Sequence, residues 1–379
     1  MTTTNDYNTT LSKEEFKAKY GKPEYCAQFA ELATALVDEV GKVLVGQRSA
    51  VEDIVDSWVA EMHLLLKSVP GLGKTLLGRT IGHCVEGCTV SFQPWTVELL
   101  PPEIKGFMKF DEQLRQYRPQ AGPLRPIIGD SQEERDRATV VYIGDEINRG
   151  TKKCQGALLN ALEEGEVTIG DTIYPLHPLF LGIFTMNPIE QGGGGTYGII
   201  EALRDRIGME LALNYLPLDQ EKELGRRSEQ GLLSKQKPWE TAGCRKVITL
   251  TQLAWMRNFA QYCIEVPDAV LDYATVGVRA TRVQCEESKA WMPEKYRKLL
   301  AFGSSSRGLI AILDLAKVMA ARQGEMVVNE GHIKVLAPKV LGHRLIWNPD
   351  AEYSVLEGGV TAEQIVAEIF AGLHIPITA

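Results

Sequence analysis

Apolar positions along this chain change their period in a fixed order. From Tyr25 to Val45, Phe29, Leu32, Leu36 and Val40 recur at three- and four-residue spacing, which predicts a helix that Gly46-Gln47 ends. A second helical stretch runs from Ala50 to about Ala60, and the segment before Tyr25 is polar and expected to be frayed in part. Short apolar runs then take over. His63–Lys67 predicts a buried strand, followed by a Gly/Pro turn and a helix from Lys74 to about Cys84. Thr89–Phe92 predicts another strand, and Val140–Gly144 is apolar enough for a central parallel strand. A helix is expected from about Thr151 to Glu164, and a further strand at Leu179–Phe184. Strands that alternate with helices argue for an α/β sheet with right-handed crossovers.

After Tyr215-Leu216-Pro217 the periods become helical as far as about Ala337; Leu309, Ile312, Leu313, Leu315, Ala316 and Met319 mark one clear amphipathic helix. The expected division is a polar segment and helix over 1–37, an α/β core over 38–216, and a smaller helical domain with a tail over 217–379. No internal repeat is visible, and the one biased tract is the four-glycine run Gly192–Gly195.

Composition narrows the class. The chain has 379 residues, enough for two domains, with 44% hydrophobic and 24% charged residues, which excludes a collagen, a disulfide scaffold and a largely disordered chain. The formal charge is 41 − 49 = −8, so the usual electrostatic reason to expect nucleic acid is missing. Its distribution says more: between Lys153 and Arg204 there is no Lys or Arg. The seven cysteines are scattered, which suits reduced thiols. Cys84 and Cys88 are expected to share a helix face, but no Cys or His cluster joins them to make a metal site. No run approaches the roughly 18 apolar residues of a spanning helix. The opening MTTTNDYNTTLSKEEF resembles neither a signal peptide nor a myristoylation site, so the expected location is the cytoplasm.

Two strand ends carry the chemistry. Ser68-Val69-Pro70-Gly71-Leu72-Gly73-Lys74-Thr75 lies between a predicted strand and helix and matches G-x-x-x-x-G-K-[ST], with Ser68 for the first glycine. Gly71 and Gly73 let backbone N–H groups converge on phosphate oxygens, and the following helix points its positive end at the same anion. Pro70, Gly71, Leu72, Gly73, Lys74, Thr75 and Leu76 are the expected phosphate surround. Lys74 would reach the β- and γ-phosphates, and the Thr75 hydroxyl would hold Mg²⁺. The strand at 140–144 ends in Asp145-Glu146. Adjacent carboxylates at a buried strand end are costly unless compensated, which suits Asp145 orienting Mg²⁺ and Glu146 polarising water. Asn187 stands at the tip of the next strand, where a polar side chain could sense the γ-phosphate.

These motifs resemble the AAA+ superfamily of P-loop ATPases, and within it the MoxR family, from about Val45 to Arg344. The resemblance is carried by VPGLGKT at 69–75, LLPPEIKGF at 99–107, GPL at 122–124, DEINR at 145–149 and QGALLNALEEGEVTIG at 155–170. It continues with NPIEQ at 187–191, GTY at 195–197, EALRDR at 201–206, TR at 281–282, SSSR at 304–307 and HRL at 343–345. It implies an AAA+ core with a parallel sheet, a helical lid, and an ATPase using ATP/ADP and Mg²⁺. Asp145 and Glu146 then resemble the Walker B pair and Asn187 sensor 1. Arg206 resembles an arginine finger acting on a neighbouring subunit, with Arg204 as its rival, and Arg307 resembles sensor 2. Arg149 would face a subunit interface. Asp205-Arg206-Ile207 stands where the family usually reads D-R-F, and Ser306 where it often has Pro. A finger in trans demands a neighbour, and the resemblance implies a homohexameric ring.

The leading reading is a chaperone-like motor that remodels, assembles or activates a protein complex, with a von Willebrand factor A-domain protein or other client as partner. Its candidate moving hairpins are about Phe107–Gln120 and Glu166–His177. A nucleic-acid motor is disfavoured by the cation-free stretch at 154–203, which holds the second hairpin. A metal-chelatase motor subunit shares the architecture. The full set of Lys74, Asp145, Glu146, Asn187, Arg206 and Arg307 argues against a non-hydrolysing scaffold. Ser304–Ser306 lies beside no evident His–Asp set and no H-E-x-x-H occurs; His343 reads as structural or an intersubunit contact, and Trp95 as core or hairpin packing.

Overall fold

A computed structural model describes residues 7–67, 73–187, 197–231, 237–349 and 359–373. Pro70, Gly71 and Leu72 of the phosphate-loop motif and the Gly192–Gly195 tract lie outside the described residues.

Helix α1 (Lys13–Tyr20) falls in the segment expected to be frayed. A capping box starts it: Ser12 Oγ accepts from the Glu15 N–H, and the Glu15 carboxylate accepts from the Ser12 N–H at 3.0 Å. Phe16 and Tyr20, four apart, bury their rings against Tyr262 and Trp255, which is apolar surface enough to order so polar a helix. Next, α2 (Pro23–Gly41) buries Phe29, Leu36 and Val40, and α3 (Arg48–Val59) buries Val51, Ile54, Val55 and Trp58.

The α/β region then runs β1 (His63–Lys67), α4 (Lys74–His83), β2 (Val85–Glu86), β3 (Val90–Pro94) and α5 (Pro101–Lys105). A hairpin, β4 (Gly106–Asp111) with β5 (Gln116–Ala121), precedes α6 (Gln132–Arg137) and β6 (Val141–Asp145). A 3₁₀ turn at Ile147–Arg149 leads into α7 (Lys152–Gly156) and α8 (Leu159–Glu163). A second hairpin, β7 (Glu166–Ile169) with β8 (Thr172–Pro175), is followed by β9 (Leu181–Met186), α9 (Glu201–Arg206) and β10 (Ile207–Ala212). Two expectations change here. The helix expected from Thr151 to Glu164 is two short helices, broken after Gly156, the weakest helix former in the run. Cys88 lies beyond the end of α4, so it shares no helix face with Cys84.

The main sheet has the order β10-β1-β9-β6-β3, and the pairs β1/β9, β9/β6 and β6/β3 are parallel. Leu64–Leu66, Val141–Ile143 and Leu181–Phe184 are buried, as central parallel strands require. The register sets Lys67 opposite Met186 and Pro94 opposite Asp145, so the ends of the strands that bear the motifs lie along one carboxyl edge. Ligands bind open α/β sheets outside that edge.

The remaining elements are α10 (Leu218–Glu229), α11 (Pro238–Thr241), β11 (Ile248–Thr249), α12 (Leu250–Cys263), α13 (Asp268–Ala280), α14 (Glu286–Trp291) and α15 (Glu294–Arg297). They continue with β12 (Leu300–Phe302), α16 (Ser306–Arg322), α17 (Glu330–Leu341), β13 (Ile346–Trp347) and α18 (Ala362–Gly372). Strand gives way to helix after residue 216, but by compactness the chain groups differently: Leu32–Ile207 with Leu211–Ala254, and Met1–Glu31 with Gly208–Glu210 and Trp255–Ala379. Polar ties hold residues 217–254 within the first unit. Arg227 donates to the Lys42 carbonyl at 2.7 Å, the Arg245 N–H to Glu39 at 2.7 Å, and β11 pairs with β2.

Candidate functional site

The site is built at the carboxyl edge, beginning at α4. Gly73 caps the helix with φ 77°, a left-handed conformation that glycine adopts without strain. Five positions on, Gly78 lets α4 settle on the sheet: a Cβ there would stand 2.8 Å from Ile143 Cδ1. Glycine at both points therefore sets how the first turn of α4 meets β6 and β9. In that turn Lys74 is 8% exposed. Burial pushes its ammonium below the ordinary value, and the carboxylates of Asp145 and Glu146 oppose the shift. Leu76, half-buried, uses its carbonyl to accept from Thr80 Oγ1 at 2.8 Å, inside the helix.

Three residues expected at the site meet directly. Lys74 Nζ donates to Asn187 Oδ1 at 2.6 Å, and Asn187 Nδ2 donates to Glu146 Oε1 at 2.7 Å. Beside this chain, Thr75 Oγ1 stands 3.4 Å from Asp145 Oδ2. A hydroxyl and a carboxylate form an all-oxygen donor set, the kind a hard cation such as Mg²⁺ takes. No group of three or more His, Cys, Asp or Glu that could hold a metal is found among the described residues, so a cation here would need further oxygens from substrate or water.

Sequence reasoning missed Thr185. Its hydroxyl donates to Asp145 Oδ1 at 2.5 Å and accepts the Glu146 N–H at 2.9 Å. One buried side chain thus orients both acids. A hydroxyl residue inside an otherwise apolar buried strand was the available signal, because buried polar groups are hydrogen-bonded. Glu146 itself has φ 55° and ψ 48°, left-handed for a non-glycine residue. Such a conformation costs on the order of 1–3 kcal/mol and persists where the surroundings hold it, as the Thr185 bond does here.

The arginines are placed differently. Arg149, half-exposed, sets its Nε 2.5 Å from Glu146 Oε2. Arg206, on the last turn of α9, pairs with Glu163 of α8 and donates through its other terminal nitrogen to the Ala202 carbonyl at 2.8 Å. Arg204 on the same helix is half-buried. Arg307 is exposed in the first turn of α16, where the Ser305 hydroxyl accepts from its N–H at 3.2 Å.

Several motif stretches prove architectural. Gln155 bonds to the Gly150 and Gly198 carbonyls and accepts the Ile200 N–H at 2.9 Å, which sets the start of α9. Thr281-Arg282 and Ser304, far apart in sequence, form one junction ahead of α16: Thr281 Oγ1 accepts the Ser304 N–H at 3.1 Å, and Arg282 Nε donates to the Ser304 carbonyl at 2.8 Å. Arg344 is buried and donates to the Gly208 carbonyl at 3.2 Å. Trp95 is buried, with Nε1 donating to the Tyr142 hydroxyl at 3.2 Å, which is core packing.

Comparison with known proteins agrees with this arrangement. The family described as "ATPase family associated with various cellular activities (AAA)" matches residues 63–209, and the AAA lid domain matches residues 297–369. YeaC of Bacillus subtilis, an uncharacterized protein, is 29% identical over 342 residues, covering 90% of this chain and 94% of its own. Chaperone MoxR1 of Mycobacterium tuberculosis is 29% identical over 343 residues, covering 89% and 81%. A crystal structure from Cytophaga hutchinsonii, of a protein described as an ATPase by assignment, superposes with a TM-score of 0.78 at 28% identity, covering 96% of this chain and 99% of its own. The parallel sheet, the phosphate-loop helix with its facing acids, and these likenesses converge: the chain is an ATP hydrolase with an AAA core and an AAA lid, similar to the MoxR proteins.

Proposed function

We propose that this ATPase hydrolyses ATP with Mg²⁺ in a ring and uses the cycle to remodel, assemble or activate a protein complex in the cytoplasm. The observation that carries the chemistry is the side-chain chain Lys74–Asn187–Glu146 beside the Thr75–Asp145 pair. Pro70 to Leu76 would surround the phosphates, with Lys74 on the β- and γ-oxygens. Thr75 and Asp145 would hold Mg²⁺, which when bound supplies positive charge at the transferring phosphoryl group. Glu146 would take the proton of the attacking water, and Asn187, already bonded to it, would tie that acid to the γ-phosphate. Arg206 would act on the neighbouring subunit's ATP, with Arg204 the alternative, and Arg307 would meet the γ-phosphate from the lid.

A protein client is supported by the first hairpin. Phe107, Phe110, Leu114 and Tyr117 are all exposed on it, and Phe110 pairs with Tyr117 across the strands at 5.3 Å. Clustered exposed apolar side chains mark protein contacts. The name of MoxR1 as a chaperone points the same way. A von Willebrand factor A-domain protein is the partner class we favour, and six copies the subunit count. Among the described residues no helix is long and apolar enough to cross a membrane.

One observation favours a nucleic-acid motor: Lys109 lies directly opposite Arg118 on the same hairpin. Like charges in that position repel, and an anion between them would relieve it. The test for the leading reading is Glu146→Gln, which should bind ATP without turnover and trap a ring visible by light scattering. Turnover stimulated by single-stranded nucleic acid and lost at high salt would favour the alternative.

A further inference from the structure

The turn that follows α13 holds the backbone of the segment that leads into α16. Thr281 Oγ1 accepts the Ser304 N–H at 3.1 Å and donates to the Val278 carbonyl at 2.7 Å. Arg282 Nε donates to the Ser304 carbonyl at 2.8 Å, and Gln284 Nε2 to the Ala301 carbonyl at 3.0 Å. Ser304 is thus clamped at its N–H and at its carbonyl by two adjacent side chains, and it is buried. Glycines permit so close an approach. A Cβ at Gly303 would clash with the Thr281 carbonyl oxygen, and one at Gly308 with Ser304 Oγ. The first turn of α16 therefore sits on the clamped residue, and Arg307 is the residue before Gly308 in that turn. Between them the Ser305 hydroxyl accepts the Arg307 N–H at 3.2 Å. Four successive residues, Ser304 to Arg307, thus carry the hold of Arg282 to the backbone from which the Arg307 side chain starts.

We infer that Arg282 is a positioning residue that aims Arg307 at the γ-phosphate, which rests on the reading of Arg307 as that contact. A cationic donor binds a carbonyl more strongly than a neutral one, and a guanidinium fixes direction as well as distance. Thr281 and Gln284 still tie the segment when Arg282 is removed, so the fold stays closed while its aim loosens. Loss of aim is costly in its own right, since a displacement of about 1 Å in a group that meets substrate can lower a rate by up to ~100-fold.

The experiment is a double-mutant cycle in the full chain: parent, Arg282→Ala, Arg307→Ala and the two together. Each is measured for ATP turnover, for binding of a non-hydrolysable ATP analogue and of ADP, and for melting temperature. Arg282→Ala should weaken analogue binding and lower kcat, each by roughly three- to tenfold, the range of one net hydrogen bond. ADP affinity should stay at the parent value, because ADP lacks the phosphate that Arg307 meets. In the Arg307→Ala background the same substitution should change analogue binding and kcat by less than about twofold, since the group it aims is gone. Arg282→Lys, which can still donate to the Ser304 carbonyl, should recover part of the loss, and Arg282→Met keeps the stem and takes the place of Ala where Ala fails to fold. If Arg282→Ala has no effect, costs the same factor with and without Arg307, or weakens ADP and the ATP analogue alike while Arg307→Ala lowers turnover, the aiming role is overturned and the assignment of Arg307 stands. If Arg307→Ala binds and turns over ATP as the parent does, the assignment of Arg307 falls and the aiming role with it.

Discussion

Lys74 and Asn187 stand 113 positions apart in the chain, and their side chains are joined at 2.6 Å. The bond spans the first residue of α4 and the residue after β9, and it fixes the lysine before any phosphate arrives. On the proposed roles, Lys74→Ala removes the cation that meets the phosphates and leaves Asn187 with Glu146 alone. A hydrogen bond to a charged group contributes about 1.5–3 kcal/mol, so ATP should bind roughly 10- to 100-fold more weakly. Titration with a fluorescent ATP analogue reads this directly, and an unchanged Kd would remove Lys74 from the site.

Thr185 makes two bonds with one hydroxyl, to the Asp145 carboxylate and from the Glu146 N–H. Thr185→Val keeps the shape and deletes both, leaving the Glu146 N–H without its acceptor. The expected cost is about 1–3 kcal/mol of stability together with a fall in kcat, because both acids lose their orienting partner. Denaturant unfolding and turnover measured on the same preparation test it; a variant with parent stability and parent kcat would show that the strand tip orients neither acid.

The pair of Arg206 with Glu163 holds the guanidinium at the end of α9 within its own chain. A finger acting in trans predicts complementation. Arg206→Ala and Glu146→Gln should each be inactive alone, yet mixed subunits should regain turnover, since an intact site then meets an intact finger across an interface. Arg204→Ala in the same mixing series identifies the alternative: if it alone is rescued, Arg204 is the finger.

His332, on α17, sets a pH dependence of stability. Its Nδ1 accepts the Asn329 N–H at 3.1 Å, and its Nε2 lies 2.9 Å from Gln323 Oε1, so the neutral ring satisfies both partners. Burial lowers its pKa from the ordinary 6.5, with Glu325 pulling the other way and Arg322 adding to the fall. A lowered folded-state value means the unfolded chain binds the proton more readily. Stability is therefore full above pH 6.5 and declines as pH falls from there toward the folded-state value. The melting temperature should drop between pH 7 and pH 5.5, and by less in His332→Gln; equal drops would exclude His332 as the source.

Much of the α/β region was legible because period and punctuation agree there. His63–Lys67 reads as a strand from its apolar run and is one, and the helix starting at Lys74 follows the glycines that open it. Asp145, Glu146 and Asn187 were legible as strand-end polar groups, since a buried strand seldom ends in acids without a use for them. Helix α1 was not legible, because Phe16 and Tyr20 show their value only when Tyr262 and Trp255 arrive from far along the chain. Nor was the break after Gly156, where a local cost outweighs the surrounding helical period.

The sequence by itself determined four strands of the main sheet, the glycine that opens α4, and the polar residues that stand at the ends of the buried strands. These follow from local sterics and from where charge stands relative to apolar runs. Only the tertiary structure decided that Thr185 orients both acids, that Arg149 holds Glu146, that Arg206 is paired with Glu163, and that Thr281, Arg282 and Ser304 make one junction. Those are contacts between side chains or backbone groups set by the register of the parallel strands and by loop geometry, and no spacing along a single chain specifies them.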